Sequence, residues 1–189
     1  MPRLRPIPLV LLLGLILVSC GGGQPSEVTW RNVTFQVPDG WYVFEQADTR
    51  LSLANADIGP EAVRSNDDLP VDDVVAIFFT YEPSTRPADW RAYADAQEAT
   101  VEVDEAIQLG DGVPATRIQF DYVTGGIPLR EMIVLIPSRG IVALAQPVPR
   151  SGQQNGPEVF LEYRDVFDEI LESARFGPPV MDRSLSIGR

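Results

Sequence analysis

The chain has no histidine and no lysine, so all 15 of its basic residues are arginine, and it has one cysteine, Cys20. These gaps remove whole classes of chemistry. Without imidazole there is no Ser-His-Asp or Cys-His unit, no histidine acid or base, and no zinc site of the usual kind. Without a lysine amine there is no phosphate-binding P-loop, no Schiff base and no Ser-Lys pair. A lone thiol makes no internal disulfide, so the domain must be held by its apolar core, which a chain of this length can build. What survives is carboxylate chemistry, or an oxygen-ligand site for calcium, magnesium or manganese. Positive charge is also scarce: 27 acids leave a formal net charge of −12. That balance argues against nucleic acid as a partner, because its phosphates would be repelled.

The amino-terminal stretch is the most informative one. Arg3 and Arg5 precede an apolar run from Leu9 to Val18, and Leu17-Val18-Ser19-Cys20 ends it just before Gly21-Gly22-Gly23. A basic start, a short apolar run and a small residue at the cut are the parts of a secretory signal. Roughly ten apolar residues rise only about 15 Å as a helix, half the hydrocarbon core, so a permanent span is not expected. The stretch resembles the lipobox of bacterial lipoproteins. That resemblance implies a diacylglycerol on the Cys20 thiol, cleavage just before it, and acylation, palmitate included, of the new amino terminus. The expected organisation is a signal peptide over 1–19, a lipidated Cys20 with a flexible tether to residue 27, a folded domain over 28–177 and a disordered tail over 178–189. Two or more acyl chains anchor a protein stably where one does not. The membrane, reached through lipid on Cys20 at the exported face of the cell membrane, is therefore the expected first partner.

Within the domain the apolar pattern alternates between two periods. Val33-Thr34-Phe35-Gln36-Val37, the turn Pro38-Asp39-Gly40 and Trp41-Tyr42-Val43-Phe44 read as a β-hairpin, with Leu51–Ala54 as a third short strand. One helical turn is expected at Glu61–Arg64. Val74–Tyr81 is apolar on both alternating faces, which marks a strand covered on both sides. Pro87–Ala99 reads as a helix capped near Ser84 or Thr85. Turns at Asp111-Gly112, Gly125-Gly126 and Arg139-Gly140 then separate four strands into an antiparallel meander whose last two members are apolar on both faces. Ile118, Phe120 and Tyr122 are expected on one face of the first long strand, Arg117, Gln119 and Asp121 on the other. Pro157–Arg175 is the clearest helix, with Phe160, Tyr163, Phe167, Ile170, Leu171 and Ala174 on one stripe and Gly177-Pro178-Pro179 closing it.

Three motifs carry a second resemblance: Phe35-x-Val37-Pro38-x-Gly40-Trp41, Gly110-Asp111-Gly112-Val113-Pro114-Ala115, and Phe167-x-x-Ile170-Leu171-x-Ser173-x-x-Phe176. In this order they resemble the PsbP-like domains, a family named after an extrinsic subunit of the photosynthetic oxygen-evolving complex. The resemblance implies an α+β fold with a central antiparallel β-sheet flanked by helices, an α/β/α sandwich. It also implies largely non-catalytic roles: stabilising a manganese cluster, assisting assembly of membrane complexes, or binding a small GTPase. The metal-binding histidines of the plant protein have no counterpart here, so no ligand of that pattern carries over.

Three sets of residues are candidates for a site. Asp67, Asp68, Asp72 and Asp73 form an acidic cluster that reads either as a solvated loop or as a holder of a hard cation; its spacing fits no EF-hand loop. Glu102, Asp104 and Glu105 form a second set, in which alternation places Glu102 and Asp104 on one outer face. Trp41, Trp90 and Tyr93 read either as core or as the lining of a ligand cleft. The expectation is a non-catalytic lipoprotein without cofactor, a binding or accessory module for a membrane or envelope complex with a possible protein partner. The alternatives are a carboxylate-dependent envelope hydrolase, which needs two convergent acids in a cleft, and a divalent-cation binding protein.

Overall fold

A computed structural model describes residues 26–65, 69, 72–150 and 152–178. The signal segment, Cys20, the tether up to residue 25, Asp67, Asp68 and the tail from residue 179 lie outside these.

The elements in chain order are β1 (Ser26–Trp30), β2 (Val33–Val37), β3 (Tyr42–Ala47), β4 (Arg50–Ala54), α1 (Pro60–Ser65), β5 (Val75–Tyr81), α2 (Pro87–Ala96), β6 (Thr100–Gln108), β7 (Pro114–Thr124), β8 (Ile127–Ile136), β9 (Ile141–Pro147), α3 (Gly156–Glu172) and β10 (Arg175–Phe176). Seven strands make one sheet in the order β3-β4-β5-β9-β8-β7-β6, and three make another in the order β1-β2-β10. Every pairing is antiparallel. The fold is therefore α+β. The meander β6 to β9 forms as its turn signals require, and the two-faced strands β5, β8 and β9 lie at the centre of the large sheet.

Both faces of that sheet are covered. On one, Leu53, Ile77, Phe79, Met132, Val134 and Ala143 pack against α3 and against the small sheet. Phe35 of β2 meets Phe79 of β5 at 4.3 Å between ring centroids, so the small sheet lies face to face on the large one. The opposite face carries two smaller clusters. Ile118, Phe120, Ile133 and Leu135 lie beneath Ala94 of α2, and Ala54, Val74 and Ala76 join Ile58 and Leu69 near α1.

The expected hairpin between Val33–Val37 and Trp41–Phe44 does not form. Gly40 makes its turn with a positive φ of 80°, yet β2 and β3 belong to different sheets. The reason is burial: Val33, Phe35 and Val37 are almost fully enclosed, and face-to-face packing encloses them where edge pairing beside β3 would not. β2 pairs instead with β1 across a two-residue turn, Arg31-Asn32, whose φ values of 45° and 60° are both positive as such a turn demands. β1 starts at Ser26, within the expected tether.

The helices also shift at their ends. α2 begins with Arg86 as its cap residue in place of Ser84 or Thr85, and the Asp89 carboxylate accepts the Arg86 backbone N–H at 2.8 Å. α2 stops at Ala96, short of Ala99, and Glu98 turns the chain into β6 with a φ of 55°. α3 stops at Glu172, because Arg175 and Phe176 leave the helix to pair with Thr34 and Val33 of β2. The Ser173 hydroxyl marks the exit: it donates to the Ile170 carbonyl and accepts the Gln36 N–H.

Phe167 is the centre of the α3 contact, fully buried, edge-on to Trp41 at 5.8 Å and tilted against Phe160 at 5.5 Å. Truncating such an aromatic removes its transfer energy and leaves a cavity. Phe167→Ala should cost about 3–5 kcal/mol in urea or guanidinium unfolding, and a loss under about 1 kcal/mol would show that α3 is not the lock on this face.

Candidate functional site

α2 crosses one face of the large sheet with a short aromatic ridge. Proline at its first position and alanines through its body favour the helix, and Trp90 and Tyr93 are three positions apart, so the two rings share a side. They meet edge to face at 5.4 Å, and Tyr93 leans edge-on against Phe120 of β7 at 6.2 Å. Trp90 and Tyr93 line a groove of about 340 Å³ together with Leu144 of β9, Thr85, Glu82 and Asp89. Tyr93 is 38% exposed there. The Trp90 indole N–H is buried with no hydrogen-bond partner, a deficit worth about 1–3 kcal/mol. Trp41 does not join them. It packs under α3 on the far side of the sheet, edge-on to Tyr163 and Phe167.

Beneath the groove lies a polar cluster that the sequence reading missed. Glu131 of β8 is 4% exposed, and the Tyr122 hydroxyl donates a very short hydrogen bond to its carboxylate. Alternation along β8 places Glu131 on the face of Ile133 and Leu135, beneath α2, and β7 places Tyr122 on the face of Ile118 and Phe120. Burial pushes the Glu131 carboxyl up to about 7, against the smaller opposing effect of the Tyr122 hydrogen bond. Burial and the Glu131 charge together raise the Tyr122 phenol, and Tyr93 is raised by the same two causes in the same order. No spacing rule singles out one glutamate in a strand. The available signal was a lone acid on the apolar face of a strand covered on both sides.

The chemistry open to Glu131 is narrow. A carboxyl with an elevated pKa can serve as a general acid. Glycoside hydrolysis needs a second carboxylate across a cleft, whereas here the neighbouring group is a phenol.

The two acidic sets separate in space. Asp72 pairs with Arg150 at 2.9 Å, and the Asp73 backbone carbonyl accepts the Asn55 side-chain amide. Asp67 and Asp68 lie outside the described residues. In the second set, strict alternation fails, because the register of β6 on β7 shifts between Val101 and Val103 and leaves Glu102 in a bulge. Asp104 then forms a two-pronged pair with Arg91 of α2 at 2.5 and 2.6 Å, and that contact holds its pKa below the usual carboxylate range. Glu105 faces Arg117 at 3.6 Å. Arg117 in turn reaches Asp168 of α3 at 2.7 Å, and burial raises the Asp168 carboxyl despite that partner. Asp104 and Asp168 thus each tie a helix to a strand. Among the described residues, no three acid or thiol groups converge as metal ligands would, and no helix is long and apolar enough to cross a membrane.

Fold and groove together define an α+β domain built on an antiparallel sheet, with an aromatic groove over a buried carboxyl. No family model matches the sequence, and no curated protein matches it either. Among solved structures, a Pseudomonas aeruginosa protein of unknown function described as a putative regulator is similar over 82% of this chain and 99% of its own, at 12% identity and a TM-score of 0.45. A structure from Bacteroides thetaiotaomicron is similar over 82% of this chain and 49% of its own, at 11% identity and a TM-score of 0.33.

Glu131 gives a pH test. Its pKa is raised above the value of 4.5 that an exposed glutamate would have, so the folded state holds the proton more tightly than the unfolded one. Stability from this group is full below about 4.5, falls as pH rises towards about 7, and is constant above; the loss is on the order of 3 kcal/mol. Glu131→Gln keeps an acceptor for Tyr122 and removes the titration. Urea unfolding at several pH values should show the variant gaining on the parent between pH 4.5 and 8, and parallel curves would refute the shift.

Proposed function

We propose that the protein is a membrane-tethered, non-catalytic lipoprotein whose PsbP-like domain serves as a binding or accessory module for a membrane or envelope complex. The groove on α2 holds a basic segment of a partner protein. The observation that carries this reading is the Trp90–Tyr93 pair, a half-exposed aromatic ridge with an unpartnered indole N–H, set between Glu82 and Asp89. Aromatic anchors with a polar rim are what a protein interface uses for energy and orientation. The formal charge of −12 draws basic surfaces and repels acidic ones.

Other features support the remaining parts. An antiparallel sheet with α3 over one face and α2 over the other agrees with the layers that a PsbP-like domain implies. The small sheet beside α3 adds to that arrangement. Leu17-Val18-Ser19-Cys20 supports the lipid anchor on the exported face, and few residues separate Cys20 from β1, so the domain works within a few nanometres of the membrane. Confinement near a membrane raises the effective concentration of a weak interface.

Affinity capture from native membranes with mass spectrometry tests the groove. A partner held by the parent protein should be lost from a Trp90→Ala, Tyr93→Ala double variant that remains folded, and should weaken as salt rises. Equal capture by both would place the interface elsewhere. Purified turnover of an envelope substrate, abolished by one Asp or Glu change, would overturn the non-enzyme reading.

The anchor has its own test. The protein should partition into detergent, and Cys20→Ser should give an uncleaved precursor. A form beginning at Gly21 should fold yet fail to rescue a deletion strain at native expression. Full rescue by that untethered form would contradict the role of the lipid.

A further inference from the structure

A second concavity lies where the β1–β2 turn approaches the turn between β8 and β9; Tyr81 and Pro83 line it, on either side of the Glu82 that lines the α2 groove. It holds about 180 Å³ and is lined by two arginines, Arg31 and Arg139. Seven other described arginines are paired with acids, as Arg91 is with Asp104, Arg117 with Asp168 and Arg130 with Asp121. Among the described residues, Arg31 and Arg139 have only backbone carbonyls and rings as partners. In a chain with 27 acids and 15 arginines, a pocket lined by two arginines and, among the described residues, by no acid is the opposite of what its composition favours.

Both groups are fixed in place. The Arg31 guanidinium stacks over the Tyr81 ring at 3.5 Å and donates to the Asp48 carbonyl at 2.8 Å. Its backbone holds a φ of 45°, in the left-handed region that a non-glycine residue seldom adopts. Arg139 donates to the Gly177 carbonyl at 2.6 Å and lies 5.2 Å from the Phe176 ring centroid. Each guanidinium has five N–H donors, and one protein acceptor satisfies only part of that fork. Glu82, next to Tyr81 in the chain, is turned away and accepts the Thr80 and Thr85 hydroxyls at 2.9 Å. Gly140 completes the wall: a Cβ there would lie 2.8 Å from Pro83 and 3.1 Å from the Tyr81 ring that supports Arg31.

We propose that this pocket is a binding site for a small monocarboxylate with a flat apolar body, its carboxylate held between Arg31 and Arg139. Planar guanidinium forks match a carboxylate in two-pronged geometry. Pro83, Pro137 and Pro178 supply apolar walls, and Ser138 adds a hydroxyl at the rim. The volume is below that of pockets for drug-sized ligands, which sets the size class. The overall negative charge opposes every further charge on the ligand, so a monoanion is favoured over a phosphate. The site is independent of the α2 groove and does not rest on the tethered-module reading.

The test is calorimetric titration of the full chain, in detergent, with sodium benzoate, its neutral counterpart benzyl alcohol, and inorganic phosphate. Benzoate should saturate a single site by about 10 mM, and the other two should bind at least about tenfold more weakly. Arg31→Gln and Arg139→Gln should each weaken benzoate about tenfold or more, with circular dichroism unchanged, while Arg164→Gln should leave it intact. Arg31→Lys retains the charge but loses the fork, and should also weaken binding; it serves if the glutamine variant does not fold. Absence of saturation, equal binding of benzyl alcohol, tighter binding of phosphate, or an equal loss in Arg164→Gln would each overturn the proposal.

Discussion

The central strands of the large sheet have no polar face to offer water. Along β5, β8 and β9 most residues are buried and none is exposed, so each side of the sheet has to be covered by something. This requirement organises the rest of the domain. α3 and the small sheet cover one side, α2 and the α1 region the other. The two sides are covered unequally. The α3 side has a continuous aromatic and aliphatic interior that includes Phe35, Phe79, Phe160 and Phe167. The α2 side has a single ten-residue helix over its meander half, and of that helix only Ala94 is fully buried.

That inequality accounts for the candidate site. A helix with one buried alanine cannot enclose its own aromatic residues, so Trp90 and Tyr93 remain at a groove instead of in the interior. Below them Glu131 occupies a position where alternation along β8 calls for an apolar side chain. Its charge is costly there, which is why burial raises its pKa and why Tyr122 supplies a donor. The Arg91–Asp104 pair fastens α2 to the edge strand and offsets the thin packing beneath it. The arginine pocket beside Tyr81 and Pro83 follows a different logic. Two turns, Arg31-Asn32 and Pro137–Arg139, bring positive charge together because backbone carbonyls and rings hold the side chains, while the neighbouring acid is turned to threonines.

The sequence by itself determined the meander, the two-faced central strands and the stripe of α3. Each rests on a local period, and local periods survive into the fold because a register slip would expose an entire apolar face. Tertiary structure decided which strands share a sheet. Val33–Val37 and Tyr42–Ala47 each read correctly as strands, but their separation into two layers depended on Phe35 finding Phe79, a contact across 44 positions of sequence that no window can contain. The same applies to Arg175–Phe176, which continue a helical pattern yet pair with β2 because that edge is free to receive them. Among the candidate residues, type and spacing placed Trp90 and Tyr93 together and gave no way to separate them from Trp41. Glu131, Arg31 and Arg139 carried no motif at all, because what distinguishes them is the environment that distant elements fold around them. Local sequence sets what each segment prefers to be; only long-range packing sets which side chains meet and which charges are left unpaired.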